Sequence, residues 1–251
     1  MRRRTGRCQT GGVPEVWQVE ERTAAASVLH ESWPAAESRP VGRRIAVCRP
    51  TGDAVVLGST QSPAVVDAKA AASAGLAVLR RRSGGGAVLV TPEDPVWIDL
   101  WVPVGDARWS ADVAVAFDWL GATWARALGR LGLDPVEVQG PAPGLCTRWA
   151  SLVCFGGVGA GEVSLAGRKV VGLAQRRNRN GAWFHTACVR HWDPSPLLDL
   201  LDLSPGERAA AYDGLGAAAT GVADALGNSA PPGGTTADAV TAALLDELAS
   251  S

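Results

Sequence analysis

A mixed α and β fold is what this sequence predicts. Helix-like and strand-like segments intermingle along the chain instead of falling into separate blocks, which favours an α+β or mixed α/β core. No internal repeat is visible, and apolar residues make up 47% of the chain against 20% charged, so the protein is globular and not a repeat array. With 251 residues it can bury a substantial core in one large domain, with or without a small appendage.

Taken in order, residues 1–13 read as a disordered arm and residues 15–31 as a first helix. Ile45-Ala-Val-Cys48 and Ala54-Val-Val-Leu57 read as short strands on either side of the turn Arg49–Asp53. Ser62-Pro63 opens a helix expected to run to about Ala74, since proline is tolerated at a first helical position where its missing N–H has no partner to lose. Strands return at Ala77–Arg81, Ala87–Val90 and Val96–Val102, and in the last of these Val96, Ile98, Leu100 and Val102 share one face. Val113, Phe117, Leu120, Trp124 and Leu128 recur at helical spacing and predict a long helix from about Ser110 to Leu131, with Trp119 off the stripe. Four more strands are expected at Leu152–Phe155, Glu162–Leu165, Lys169–Ala174 and Trp183–Val189. Helices at 195–202 and 205–226 follow; 227–234 reads as a linker and 235–251 as an amphipathic C-terminal helix, leaving 14–226 as the main domain.

A formal net charge of −1 gives no bulk reason to expect nucleic acid or a membrane surface as partner. No stretch approaches the roughly 18 uninterrupted apolar residues of a membrane span. The five cysteines are odd in number and form no C-x-x-C pair, which argues against a disulfide framework and a structural zinc site and predicts a reducing, cytoplasmic setting, with no residue assigned as a metal ligand. Of 24 basic residues only Lys69 and Lys169 are lysines. Arginine stays charged and does not serve as a tunable amine, so a retained lysine invites a chemical explanation.

Two segments carry chemistry. In Arg80-Arg-Arg-Ser-Gly-Gly-Gly-Ala-Val88 three glycines sit between strand-like runs. Each weakens such an element by roughly 0.5–1 kcal/mol relative to alanine, so either this is a flexible hairpin tip or the bare backbone lies against a ligand. It is no Walker loop, because the Gly-Lys-Ser/Thr ending is missing and a strand follows. The second segment is Gly167-Arg-Lys-Val-Val-Gly172 with Leu-Ala-Gln-Arg-Arg177 after it. A strand there, entered through an Ala-Gly turn, would set Lys169, Val171 and Leu173 on one face and could aim Lys169 into a cleft, although a lysine at a strand start is ordinarily a surface charge.

Together these segments, in this order and at this spacing, resemble the two signature segments of lipoate-protein ligase A and the related octanoyl transferases. Val56-Leu-Gly-Ser-Thr-Gln-Ser-Pro63 is similar to a third, and the likeness spans roughly residues 40–200. The resemblance implies a central mixed, largely antiparallel sheet flanked by helices, of the biotin/lipoate-ligase type, and attachment of a lipoyl or octanoyl group to a lysine of a partner protein. It implies that Lys169 contacts the acyl carboxyl group without itself being acylated, and that Arg81, Ser83, Gly84, Gly85 and Gly86 bind substrate or nucleotide. Ala87, Val88, Leu89, Gly172, Ala174 and His185 are implied in the same site.

Two activation routes stay open, as does a non-catalytic acyl-binding role. A ligase would use lipoate with ATP and Mg; a transferase would need no cofactor, take octanoate from acyl carrier protein and carry it on Cys154, which precedes Lys169 as the nucleophile does in the cysteine-dependent enzymes. A free cysteine is otherwise a small buried hydrophobe. The three glycines are ligase-like, whereas the His-Asp pair expected after them is replaced within Leu89-Val-Thr-Pro-Glu93. The implied acceptors are lipoyl domains of 2-oxoacid dehydrogenases or an H-type protein of glycine cleavage.

Overall fold

The computed structural model describes residues 16–31, 42–113, 115–142 and 144–250, so the proposed arm at 1–13 lies outside the described residues. Among the described residues ten strands form two sheets. The larger contains β1 (Gln18–Ala24), β2 (Arg44–Pro50), β6 (Val96–Pro103), β7 (Val136–Val138), β8 (Val163–Leu165), β9 (Arg168–Asn178) and β10 (Gly181–Cys188), in the order β1-β2-β6-β10-β9-β8-β7. Only β1 and β2 are parallel; the other neighbours are antiparallel. The smaller sheet has β3 (Ala54–Leu57) between β4 (Ala77–Arg80), which runs parallel to it, and β5 (Val88–Val90), which runs antiparallel. This is the mixed, helix-flanked architecture that the resemblance implied.

Period-2 alternation on β6 assigns the layers. Val96, Ile98, Leu100 and Val102 face a core closed by Leu120, Trp124 and Leu128 of α3 (Asp118–Arg130), by Val222 and Leu226 of α6 (Val222–Leu226) and by Val240, Leu244 and Leu248 of α7 (Ala237–Ala249). Trp97 and Trp101 face the other way, packing with Trp183, with Ala54, Val56 and Val90 of the small sheet and with Leu29 of α1 (Ala26–Glu31). Val55 and Leu57 turn to the far side of the small sheet, against α4 (Ser195–Leu198) and α5 (Pro205–Gly216). The small sheet is thus sandwiched between the large sheet and a helical layer. The C-terminal helix α7 is not a free appendage but part of the main core.

Several elements differ from the sequence reading. The first helix is preceded by a strand, because Gln18–Ala24 pairs along its length with Arg44–Pro50 as an edge strand and the ladder overrides helix propensity. The helix expected from Ser110 begins only at Asp118, since the carbonyls of Ala111 and Val113 accept side-chain hydrogen bonds from Arg177 and Gln175 of β9 instead of intrahelical ones. The helix after Ser62 splits into a 3-10 turn, Pro63–Val65, and α2 (Ala68–Ser73): Val66 bridges to Leu201, and the Asp67 carboxylate caps the second piece. The strand expected at Leu152–Phe155 is a single bridge from Val153 to Ala87 followed by a 3-10 turn over Cys154–Gly156.

Candidate functional site

A cavity of about 670 Å³ lies between the Trp97 face of the large sheet and the small sheet, within the usual range for a small-molecule site. Val56, Val88 and Val90 line one side and Trp97, His185 and Ala187 another, while the glycine loop and Lys169 border it and His30 of α1 contributes beside Trp97.

The glycine loop is not a hairpin tip. Because β4 and β5 flank β3, the loop between them must cross the end of β3. The crossing needs Gly58, where a Cβ would run into the Gly85 carbonyl, and Gly86, where a Cβ would lie 2.5 Å from the Val153 carbonyl carbon. Gly85 has φ +99°, a region open chiefly to glycine, and faces the cavity. Gly84 has open space around its Cβ position. Gly86 is therefore required first by the neighbouring backbone and not by a ligand. Arg81, buried at the loop's root, donates from Nε and Nη2 to the Gly84 carbonyl, from Nη2 to that of Gly86 at 2.9 Å and from Nη1 to that of Val56 at 3.2 Å. Burial draws the guanidinium below its ordinary value, with Cys154 and Glu162 opposing. It shapes the loop and carries a positive charge to the cavity wall.

Lys169 enters through an Ala166-Gly167 turn in which both residues have positive φ. Its side chain is not on the face that simple alternation assigns. Ser164 pairs with Lys169 but Val163 with Val171, so Val170 is an extra residue, a β-bulge. The bulge turns Lys169 to the side of Gly172, where a Cβ would meet its Nζ at 3.6 Å, while Val171 stays in the core. Only 2% exposed, Lys169 places Nζ 2.7 Å from Glu162 Oε2, donates to the Cys154 carbonyl at 2.9 Å and lies 5.0 Å from the Phe155 ring centre. Burial disfavours the ammonium, but Cys154 and the Glu162 carboxylate outweigh it, and Lys169 is held above its ordinary value and charged. Glu162 also accepts from the amides of Gly159 at 2.7 Å and Leu173 at 3.0 Å.

Across the cavity, His185 Nδ1 lies 2.8 Å from Oδ1 of Asp99, its register partner on β6. The same oxygen accepts from Trp97 Nε1 at 2.7 Å, and Oδ2 has no hydrogen-bond partner among the described residues. The ring centres of His30 and His185 are 5.8 Å apart. Burial above all, against the attraction of the Asp99 carboxylate, pushes His30 down to about 3, so its imidazole is neutral.

A sequence model described as the lipoyl protein ligase A/B catalytic domain matches residues 22–249. The chain belongs to that family. Among solved structures, the bipartite lipoate protein ligase of Thermoplasma acidophilum, studied with its E2 lipoyl domain, is similar at 18% identity and TM-score 0.67, over 93% of this chain and 84% of that one. A putative lipoate protein ligase of T. acidophilum with bound lipoic acid aligns at 19% identity and TM-score 0.61, over 83% and 72% of the two chains. A lipoate-protein ligase A bound with ATP aligns at 19% and 0.64, over 93% and 83%. No curated protein matches the sequence significantly.

Of the residues this lipoyl-ligase family member was expected to use, Lys169, Cys154, Arg81, Gly84, Gly85, Gly86, Val88, Gly172, Ala174 and His185 all line the one cavity. Three do not. Ala87 and Leu89 alternate with Val88 and turn to the opposite side of β5, and Ser83 is buried beneath the loop, where its carbonyl accepts from the Ser59 amide at 2.9 Å. At the altered His-Asp stretch, Val90 joins the apolar wall and Thr91 holds a turn by accepting from the amides of Glu93 and Asp94. Glu162, Asp99 and His30 went unnoticed in the sequence. A lone carboxylate between Trp97 and Trp101 on an otherwise apolar strand was a usable signal for Asp99; Glu162 and His30 carried none.

The charges also bear on the nucleotide and metal. Arg81 and Lys169 are suited to an anion. Among the described residues Glu162 is the only carboxylate lining the cavity, and it is already held by Lys169 and two amides, which fits poorly with a magnesium ion that takes carboxylate oxygens. No group of three potential metal ligands occurs among the described residues, and no described helix is long and apolar enough to cross a membrane.

Proposed function

We propose that this protein attaches a lipoyl or octanoyl group to a lysine of a lipoyl-acceptor domain. The observation that carries the reading is the buried Lys169 ammonium, fixed by Glu162 and the Cys154 carbonyl at one end of a long apolar-walled cavity. An acyl chain lies along valine and tryptophan side chains, and its carboxyl end meets Lys169. There a preorganised cation, already desolvated, stabilises the negative charge that grows on the carbonyl oxygen as the acceptor amine attacks. The T. acidophilum relatives, described with lipoic acid and with an E2 lipoyl domain, support the substrate and the acceptor class. ATP, found with another relative, would supply the acyl adenylate, its phosphate facing Arg81 and Lys169.

The test is intact mass of a lipoyl domain after incubation with the protein, lipoate and ATP, or with octanoyl carrier protein. A mass gain of one acyl group is expected. No gain with either donor, together with tight lipoate binding, would leave an acyl-binding protein instead.

One observation favours the thioester route as a second reading: Cys154 lines the cavity beside Gly85, with its Sγ 3.9 Å from the Gly85 Cβ position. On this route Cys154→Ala abolishes transfer from octanoyl carrier protein and the wild type forms a hydroxylamine-labile adduct. A Cys154→Ala variant that still uses lipoate and ATP excludes it.

A further inference from the structure

Acyl transfer to an amine requires a proton acceptor, and the cavity wall offers few. An attacking amine must be neutral, and the nitrogen becomes cationic as its bond to the acyl carbon forms. Arg81 does not deprotonate. Lys169 is already protonated and paired with Glu162, whose two oxygens are occupied by Lys169 and the Gly159 and Leu173 amides. The thiols of Cys146 and Cys154 are weak acceptors. His30 is held down to about 3, too weak a base to hold a proton near neutral pH.

His185 is left. Asp99, 0% exposed, lies 2.8 Å from its Nδ1, and a ring that donates Nδ1–H to this carboxylate has its lone pair on Nε2. The ring lines the cavity opposite Ala174, and two residues back on that strand Gly172 lies under Lys169. The Trp97 indole anchors the carboxylate through the same Oδ1. Cys48, on β2 behind Asp99, is kept as a neutral thiol chiefly by burial and then by Asp99.

We propose that His185, positioned by Asp99, accepts the proton that the acceptor lysine loses when it is acylated. The inference rests on the acyl-transfer reading. In the step, the neutral amine nitrogen bonds to the acyl carbon, the bond from that carbon to its leaving group breaks with the electron pair departing on the leaving group, and the nitrogen's extra proton passes to His185 Nε2.

The experiment is single-turnover transfer from chemically made lipoyl adenylate, comparing a lipoyl domain with hydroxylamine, whose much less basic nitrogen loses its extra proton to water after attack. His185→Gln is expected to slow transfer to the lipoyl domain by about 100-fold or more, with hydroxylamine cleavage changed by less than about threefold. The deficit should shrink as pH rises, because solvent base takes over. Asp99→Asn, close in volume, should show the same pattern with a loss of about tenfold or more, and it carries the test if His185→Gln fails to fold. Unchanged transfer to the lipoyl domain overturns the proposal, as do equal losses with both nucleophiles at every pH, which would make His185 a shaping residue. A wild-type protein that binds lipoyl adenylate but acylates no lipoyl domain, either from it or from octanoyl carrier protein, overturns the acyl-transfer reading itself.

Discussion

The two ends of the cavity are built on opposite principles. At the glycine-loop end the ionic groups are engaged by the protein: Arg81 by three carbonyls, Lys169 by Glu162 and the Cys154 carbonyl, Glu162 by two amides. Toward β6 and β10, Asp99 keeps an oxygen without a hydrogen-bond partner among the described residues, and His185 lines the cavity. The first end is a fixed electrostatic frame, which stabilises charge without rearranging. The second contains the groups free to change their bonding during a reaction.

The largest expected effect breaks the frame. Lys169→Met should lower kcat/KM for acyl transfer by about 100- to 1,000-fold, and it should also cost about 3–5 kcal/mol of stability by leaving Glu162 buried without its partner. Adding Glu162→Gln should recover much of the melting temperature and none of the activity. Activity regained by the double variant would show that the ion pair is structural only.

Next in size is a contrast within the glycine run. Gly86→Ala should lower stability by about 1–3 kcal/mol in chemical denaturation, because its Cβ meets the Val153–Cys154 backbone, which has little freedom to yield. Gly84→Ala, with open space, should stay within about 0.5 kcal/mol. Equal losses at both positions would mean that the crossing over β3 is looser than its geometry.

The effect that is smallest at neutral pH, and grows only on acidification, sharpens the other end. His30 has its folded value lowered from 6.5 to about 3, so between those limits the unfolded chain binds a proton that the folded one does not. Stability from this residue is therefore complete above pH 6.5 and lost as pH falls toward 3, by up to about 1.4 kcal/mol per unit. His30→Asn should flatten that part of the urea-midpoint profile. An unchanged slope would show that His30 is protonated or solvated in the folded state.

Much of this was legible beforehand, for identifiable reasons. Strand β6 was readable because its alternation is local, and the glycine run and Lys169 because their residue types are costly or rare in this chain. The same local logic misplaced the Lys169 side chain: one extra residue at Val170 reverses the faces of a strand, and nothing in the periodicity of Lys169–Ala174 announces it.

The sequence by itself determined the mixed fold class, the layer facing of β6, and the glycine run and lysine that meet in the cavity. Tertiary structure alone decided which carboxylates serve them. Asp99 meets His185 only through the register of β6 against β10, and Glu162 meets Lys169 only through the bulge and the loop that ties Gly159 to it. Helix α1 delivers His30 from a distant part of the chain. Propensity and spacing act over a few residues, whereas pairing register and the burial of charge are settled by contacts between segments far apart in sequence, where only the folded chain brings partners within hydrogen-bond reach.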